Sequence, residues 1–190
     1  MAILDTRMQE KKSSFQPLAL SLTVAAALLR LVPHPFNFTP IGSAALFGGA
    51  RLAGWQAYVV PLLAMLVTDP ILSYMAGYPA YSAGTLVVYF SLLIYVLLGR
   101  TLIGRSTNPW RIGAVALAGS VQFFLITNFF TWFAGTLYPH TAGGLAACYI
   151  AGLPFFGRTV LGDLFYSGVL FSAYTLLERK THVDELRRAA

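Results

Sequence analysis

The sequence predicts an all-α integral membrane protein, a compact bundle of six transmembrane helices, on the strength of three observations. Hydrophobic residues make up 57% of the 190 residues, and charged residues only 11%. The mean hydropathy of +0.67 is too high for an ordinary soluble domain of this length. The apolar residues also form runs separated by short polar links, as membrane helices require.

Six apolar runs approach the roughly 20 residues that cross a bilayer core of about 30 Å. The predicted helices cover residues 17–32, 40–52, 55–75, 83–102, 110–135 and 157–177. Residues 136–156 are rich in glycine, and their apolar piece, 145–153, is stopped by Pro154. Because this piece is too short to span a bilayer, we expect an interfacial or re-entrant segment between helices five and six.

Residues 37–50 join a polar turn to a run of small residues, and we expect the bundle to be arranged around them. Thr39 is expected to cap a helix whose first residue is Pro40. Gly42 and Gly49 lie on nearly one helical face, which lets two backbones approach closely in lipid. This pattern predicts a short, deeply packed helix. Its small residues either serve packing alone or lie beside a ligand or partner subunit.

Basic residues mark one side of the bundle. Of the 13 Lys and Arg residues, 11 lie in the termini or in short links. If the six helices alternate in direction, these positions share one side, which is expected to be the cytoplasm. Residues 1–16 and 179–190 are then cytoplasmic tails around a membrane domain of residues 17–178. The 11 residues are Arg7, Lys11, Lys12, Arg51, Arg100, Arg105, Arg111, Arg179, Lys180, Arg187 and Arg188.

Several classes of function do not fit this pattern. The net charge of +6 lies in links and termini, which argues against nucleic-acid binding. No G-x-x-x-x-G-K-[ST] loop is present, so the chain does not hydrolyse ATP by that route. His34, His140 and Cys148 are far apart and lack ligand spacing, so neither a metal site nor a cofactor is expected; the alternative is that a single His, Tyr or Cys contacts a metal already held in a ligand. No catalytic constellation predicts an enzyme, and no signal peptide is evident.

Four further charged residues are expected in the outer half of the helices. Charged groups in hydrocarbon are costly, so they usually face the bundle interior and pair or contact a ligand. Alternatively, they form a structural lattice that locks helices one, three and six, or the two arginines extend to the lipid headgroups. These candidate binding residues are Arg30, Asp69, Arg158 and Asp163.

Pro70 follows Asp69 directly. Its ring removes the hydrogen bond to the carbonyl of Leu66 and disfavours helical geometry at Asp69. A broken helix beside a carboxylate is therefore expected at this point, as in many membrane binding sites.

Uncharged polar and aromatic residues on the same side complete the candidate binding site. Asn37 belongs to the first outer loop, and Tyr78 and Tyr81 to the loop between helices three and four. Asn128 and Trp132 share one face of the fifth helix. The alternatives are hydrogen bonds between helices for Asn128 and an interfacial aromatic belt for the rings.

A stripe of small residues on the first helix recurs every four positions, at Ala19, Thr23 and Ala27. Such a stripe docks a partner helix or packs against this chain's own second helix. Both alternatives remain open from the sequence.

Three segments together resemble an uncharacterised family of short bacterial membrane proteins. They are residues 30–50 (Arg-Leu-Val-Pro-His-Pro-Phe-Asn-Phe-Thr-Pro-Ile-Gly-Ser-Ala-Ala-Leu-Phe-Gly-Gly-Ala), 66–70 (Leu-Val-Thr-Asp-Pro) and 161–166 (Leu-Gly-Asp-Leu-Phe-Tyr). That family is itself similar to the substrate-binding S components of energy-coupling-factor (ECF) vitamin transporters. The resemblance covers about residues 17–179.

This resemblance implies a six-helix protein of the bacterial cytoplasmic (inner) membrane that binds a vitamin-like compound near the outer surface. It also implies a partner, a transmembrane coupling subunit driven by two ATPases, and a toppling motion in the bilayer. The stripe of Ala19, Thr23 and Ala27 is similar to the Ala-x-x-x-Ala docking face of S components, from which Thr23 departs.

The chain also resembles the solitary cobalamin-transporting S components, which implies cobalamin as a candidate substrate. In those proteins, a cysteine between helices three and four ligates the cobalt. Residues 77–84 contain no cysteine here, which leaves Tyr78, Tyr81 and Ser82 as contacts for such a ligand. The alternative from another class is a structural or scaffold membrane subunit without a ligand.

Overall fold

A computed structural model describes residues 16–77 and 79–189, and six helices make up this part of the chain. Those two ranges contain no strand, so the predicted all-α bundle of six helices is confirmed. The helices are α1 (Gln16–Leu29), α2 (Ile41–Arg51), α3 (Gln56–Ala76), α4 (Ala83–Leu98, continued by a π-helix over Gly99–Ile103), α5 (Pro109–Ala134) and α6 (Ala142–Ala189). Of the predicted N-terminal tail, residues 1–15 lie outside the described residues.

Four of these helices are long and apolar enough to cross a membrane: α3, α4 with its π-helix, α5, and α6 up to Thr181. The other two are shorter than a straight span, with 14 residues in α1 and 11 in α2. Large apolar side chains such as Leu86, Phe133 and Ile150 are exposed on the outside of the bundle. A surface of this kind fits a lipid environment.

α2 lies at the centre of the bundle. Every residue from Ile41 to Gly49 is buried, and α2 packs against all five other helices. A Cβ atom on Gly49 would overlap the carbonyl of Val96, and one on Gly99 would overlap the carbonyl of Leu46. The backbones of α2 and α4 are thus in direct contact, which confirms the predicted short, deeply packed helix.

The start of α2 differs from the prediction. The helix begins at Ile41, and the preceding Pro40 already has nearly helical dihedral angles, with φ −76° and ψ −4°. A capping residue normally has extended angles that direct its side chain to the first free N–H groups. The predicted cap at Thr39 is wrong, because its hydroxyl is buried without a hydrogen-bond partner in the described part of the chain.

The predicted break at Pro70 is also wrong, since α3 runs through this residue to Ala76. Pro70 cannot donate a backbone hydrogen bond to the carbonyl of Leu66. The hydroxyl of Tyr81 donates to that carbonyl instead, at 2.7 Å. The helix continues because a neighbouring side chain satisfies the acceptor that the proline leaves free.

The predicted interfacial or re-entrant segment between helices five and six is not a separate element. Its apolar piece forms the first turns of α6, which continues through Pro154. These turns pack along α5, where the hydroxyl of Tyr149 donates to the carbonyl of Leu125 at 2.9 Å. Contact with α5 along its length allows α6 to pass the proline without ending there.

The helix links meet at two ends of the bundle. Links 52–55 and 104–108 form what we call the arginine end, whereas links 30–40, 79–82 and 135–141 form the loop end. At the arginine end, Arg51 donates to the carbonyls of Gly104 and Ser106, and Arg100 donates to the carbonyl of Gly54. Arg51 and Arg100 therefore lie at the same end of the bundle as these two links, as the sequence predicted for this pair.

Candidate functional site

Arg30 and Asp69 form an ion pair that joins the end of α1 to α3. Their side chains approach to 2.5 Å, and Arg30 also donates to the hydroxyl of Thr68 at 2.8 Å. The hydroxyl of Tyr89 in α4 donates to the second carboxylate oxygen of Asp69 at 2.8 Å. Both carboxylate oxygens thus have partners, and three helices are held together at this point.

Asp163 lies deeper in the bundle and has a different environment. Its side chain is 2% exposed and accepts hydrogen bonds from the hydroxyls of Tyr95 (2.5 Å) and Ser120 (2.7 Å), near the middle of α4 and α5. Ser43 of α2 donates to its backbone carbonyl at 2.9 Å. Among the residues that the structure describes, no Lys, Arg or His forms an ion pair with Asp163.

Two glycines make room for this arrangement. A Cβ atom on Gly42 of α2 would lie 2.5 Å from the Oδ1 atom of Asp163. A Cβ atom on Gly119 of α5 would overlap the ring of Tyr95. The carboxylate reaches its partners only because both neighbouring helices have no side chain at these positions.

Two adjoining cavities lead from the loop end to Asp163. The first, here called the entrance cavity, has a volume of about 160 Å³, and the second, the Asp163 cavity, about 60 Å³. Asn37, Phe123 and Thr159 line both cavities. Because Asn37 belongs to the loop between α1 and α2, the cavities form a path from the loop end into the middle of the bundle.

The lining of this path is aromatic with a few polar groups. Phe124 and Phe156 line the entrance cavity with their ring centroids 4.8 Å apart. The side chain of Asn128 also lines it and donates to the carbonyl of Phe124 at 2.9 Å. The unpaired hydroxyl of Thr39 lines the Asp163 cavity. An apolar wall with a small number of directed polar groups is typical of a small-molecule site.

The structure brings together three of the predicted binding residues, namely Asn37, Asn128 and Asp163, around the two cavities. Arg30 and Asp69 form their own pair elsewhere. Arg158 is exposed and lines neither cavity. The four charged residues therefore do not form one layer. Of the predicted lattice that locks helices one, three and six, the structure shows the ion pair between helices one and three.

The predicted aromatic walls occupy other positions. Tyr81 donates to the carbonyl of Leu66, and the indole N–H of Trp132 donates to the carbonyl of Pro139 at 2.9 Å. Neither residue lines the two cavities. Tyr78 lies outside the described residues.

The small-residue stripe on α1 packs against another helix of this chain. Ala19 and Thr23 are 0% exposed and Ala27 is 1% exposed. A Cβ atom on Gly48 of α2 would come within 3.3 Å of the Thr23 methyl group. Of the two alternatives, the structure shows packing against α2, and this stripe is not available for a partner in the described conformation.

Several cavity residues were missed by the sequence analysis. Tyr95 and Thr159 are polar groups in apolar helices, which is the signal that singled out Asn128. Ser120, which donates to Asp163 without lining either cavity, has the same signal. The rings of Phe123 and Phe124 carry no such signal, because phenylalanine is common throughout these helices.

The residues considered as metal ligands do not meet. The thiol of Cys148 contacts the carbonyl of Asn128, and the ring of His140 lies against Trp132. Within residues 16–77 and 79–189, no group of three His, Cys, Asp or Glu side chains has the geometry to hold a metal ion.

A larger groove of about 460 Å³ lies between α5 and α6 near the arginine end. Its lining includes Gly113, Gly168 and, as a charged residue, Arg179. It contains no buried charge without a partner, whereas the cavities at the loop end lead to Asp163. We therefore treat the latter as the candidate site.

Comparison with known protein families gives a match over most of the chain. A family model described as a family of unknown function (DUF6580) matches residues 10–186. No curated protein and no solved structure matches the chain. Because the match extends over nearly the whole sequence, the chain belongs to the DUF6580 family of unknown function.

Proposed function

We propose that this protein is a membrane protein that binds a small, vitamin-like molecule in the two cavities at the loop end and takes part in its uptake. The observation that carries the proposal is the path from Asn37 to Asp163, a buried carboxylate without an ionic partner among the described residues. Asn37, Asn128, Thr39 and Asp163 would contact the polar groups of the molecule.

The energetics of Asp163 favour a binding role. Burying a carboxylate costs several kcal/mol unless an opposite charge or sufficient hydrogen bonds compensate. Asp69 has that compensation from Arg30, whereas Asp163 has hydroxyl partners only. Ionisable residues kept in membrane helices without an ionic partner are typical of sites that bind a substrate or an ion.

The resemblance to S components agrees with the position of this site. It implies binding under the outer loops, and the proposed cavities begin at the loop between α1 and α2. Under the positive-inside rule, the arginine end faces the cytoplasm and the loop end faces outward in a bacterial inner membrane. A coupling subunit with two ATPases would drive uptake, and it would dock on a surface other than the buried stripe of α1.

The size of the cavities narrows the choice of ligand. Pockets that bind drug-sized ligands have volumes of roughly 300–1,000 Å³, whereas the entrance cavity has about 160 Å³ and the Asp163 cavity about 60 Å³. A compound with a corrin ring, such as cobalamin, is too large for this conformation, so we propose a much smaller ligand.

A direct test uses purified protein in detergent. Native mass spectrometry should detect a small molecule that co-purifies with it, and a panel of small vitamins and metabolites should raise its melting temperature. Thr159→Phe, which places a ring where the two cavities meet, should abolish both effects. The matched control is Thr181→Phe, an exposed threonine near the far end of α6, which should leave binding unchanged.

The second candidate is a structural or scaffold subunit, which the Arg30–Asp69 pair between α1 and α3 favours. If the protein is a scaffold subunit, no compound in the panel raises its melting temperature, and Thr159→Phe changes the stability of the protein without affecting any ligand binding. A compound that binds wild type and the Thr159→Phe variant equally well would also refute the proposed site.

A further inference from the structure

The charged side chains that line the two cavities indicate which kind of ligand they bind. The inference drawn from them rests on the proposed function. Among the described residues that line the two cavities, Asp163 has the one charged side chain, and no Lys or Arg is present. We infer that the ligand is a small organic cation, such as a quaternary or protonated amine, whose charge is held by the carboxylate of Asp163.

The two carboxylate oxygens of Asp163 have different surroundings. Tyr95 and Ser120 both donate to Oδ2. Oδ1 lies against Gly42, which itself lines the Asp163 cavity. The protein thus anchors one oxygen and places the other beside the cavity, where a cation can approach it.

Neither Arg30 nor Arg158 is available to neutralise Asp163. Arg30 is held by Asp69 and Thr68. Arg158 precedes Thr159 directly, but its side chain is exposed and lines neither cavity. A positive charge that pairs with Asp163 therefore has to come from the ligand.

Aromatic rings along the path also favour a cation. Phe123, Phe124, Phe155 and Phe156 line the entrance cavity, and Tyr95 lines the Asp163 cavity. The negative face of an aromatic ring attracts a cation within about 6 Å of its centroid, and quaternary ammonium ligands are often held in this way. A path that is lined by phenyl rings and ends at a carboxylate suits a poorly hydrated organic cation better than a metal ion.

An anionic ligand does not fit the same lining. Its charge would be repelled by Asp163 in surroundings of low dielectric constant, where like charges interact strongly. The uncharged groups of Asn37, Asn128 and Thr39 could satisfy its hydrogen bonds but not its charge. The lining therefore ranks ligands by charge, with cations first and anions last.

Three probes of nearly the same shape test this ranking: choline, the neutral 3,3-dimethyl-1-butanol and the anionic 3,3-dimethylbutanoate. Binding to the purified protein is measured by isothermal titration and by the shift in melting temperature. Choline should bind at least about tenfold more tightly than the neutral probe, and the anion should bind most weakly.

Two variants test whether the carboxylate of Asp163 causes this order of probe affinities. Asp163→Asn should bring choline and the neutral probe to similar affinities. The matched control, Asp69→Asn, removes the other buried carboxylate, so it should lower stability while leaving the ratio of the two affinities unchanged. If Asp163→Asn does not fold, the ranking of the three probes on wild type still decides the inference.

The outcomes separate this inference from the proposed function. If the neutral or anionic probe binds as tightly as choline, and Thr159→Phe blocks that binding, the cavities bind ligands but the cation inference is wrong. If none of the three probes binds wild type in a manner that Thr159→Phe blocks, the result counts against the proposed site itself. A choline preference that persists in Asp163→Asn would also overturn the role given to this carboxylate.

Discussion

At the scale of single residues, Asp69 and Asp163 show how the surroundings of an aspartate determine its role. Both are buried in helices of the membrane domain. Asp69 has an arginine at 2.5 Å, so its charge is neutralised within the protein. Asp163 has hydroxyl donors and an adjoining cavity instead. The first arrangement joins α1 to α3 by an ion pair, whereas the second leaves the carboxylate without an ionic partner among the described residues, and for that reason we propose a ligand there.

The pair of Arg30 and Asp69 gives a first prediction. Arg30→Gln and Asp69→Asn should each lower the free energy of unfolding by about 3 kcal/mol, because each leaves a largely buried charge without its partner. The double variant should lose less than the sum of the two. Unfolding in mixed micelles of increasing SDS content measures these changes, and additive losses would contradict the assigned ion pair.

Gly42 gives a second prediction. Gly42→Ala places a methyl group 2.5 Å from Oδ1 of Asp163, so it should lower the stability by about 2 kcal/mol and weaken choline binding. Gly168→Ala is the matched control, because its Cβ meets no atom within 4 Å. It should be neutral or stabilise the helix by about 0.5 kcal/mol. Equal effects of both changes on binding would show that Gly42 does not border the site.

At the scale of helices, two prolines illustrate why a break predicted from local sequence was wrong. Pro70 and Pro154 both lie inside continuous helices. Each removes one backbone hydrogen bond. At Pro70 the hydroxyl of Tyr81 satisfies the freed carbonyl, whereas near Pro154 α6 packs along α5, where Tyr149 donates to Leu125. Helix continuity here depends on contacts between distant parts of the chain.

Tyr81 and Pro70 supply a third prediction. Tyr81→Phe should cost about 1 kcal/mol in wild type, because it leaves the Leu66 carbonyl without a donor. In a Pro70→Ala background it should cost almost nothing, since the backbone N–H of residue 70 then reaches that carbonyl. The same SDS titration measures the free energy of unfolding of wild type, both single variants and the double variant. An equal cost of Tyr81→Phe in both backgrounds would show that the hydroxyl does not serve this acceptor.

The sequence predicted well the features that depend on local pattern. The small residues of α2 indicated close packing, and α2 indeed contacts the backbone of α4. It could not predict the partners of Asp163, because Tyr95 and Ser120 lie 68 and 43 residues away in the chain. The hydrophobic pattern indicates that helices pack, but it does not indicate which faces meet. Asn37 and Asn128 were singled out because polar groups stand out in apolar surroundings, whereas Phe123 and Phe124 beside them were missed.

At the scale of the whole molecule, the bundle has two chemically different ends. The arginine end carries basic side chains bound to the carbonyls of the helix links. The loop end gives access to the cavities and, in its described links 30–40, 79–82 and 135–141, contains Arg30 as its one basic Lys or Arg residue. Under the positive-inside rule, this asymmetry predicts that the proposed site faces the outer side.

This orientation gives a fourth prediction. In a Cys148→Ser background, a cysteine introduced by Thr136→Cys at the loop end should react with a membrane-impermeant maleimide in intact bacterial cells. A cysteine introduced by Thr107→Cys at the arginine end should react only after lysis. Both threonines are exposed, so accessibility within the protein does not separate them. The reverse labelling pattern would place the cavities on the cytoplasmic side.

The most direct test of the central claim is an experimental structure of the protein with the compound that raises its melting temperature most. The account predicts density for that compound in the cavities between Asn37 and Asp163, with a polar or charged group at the carboxylate and an apolar part against Phe124 and Phe156. Density in the groove near Arg179 or on the lipid-facing surface, with the two cavities empty, would contradict it.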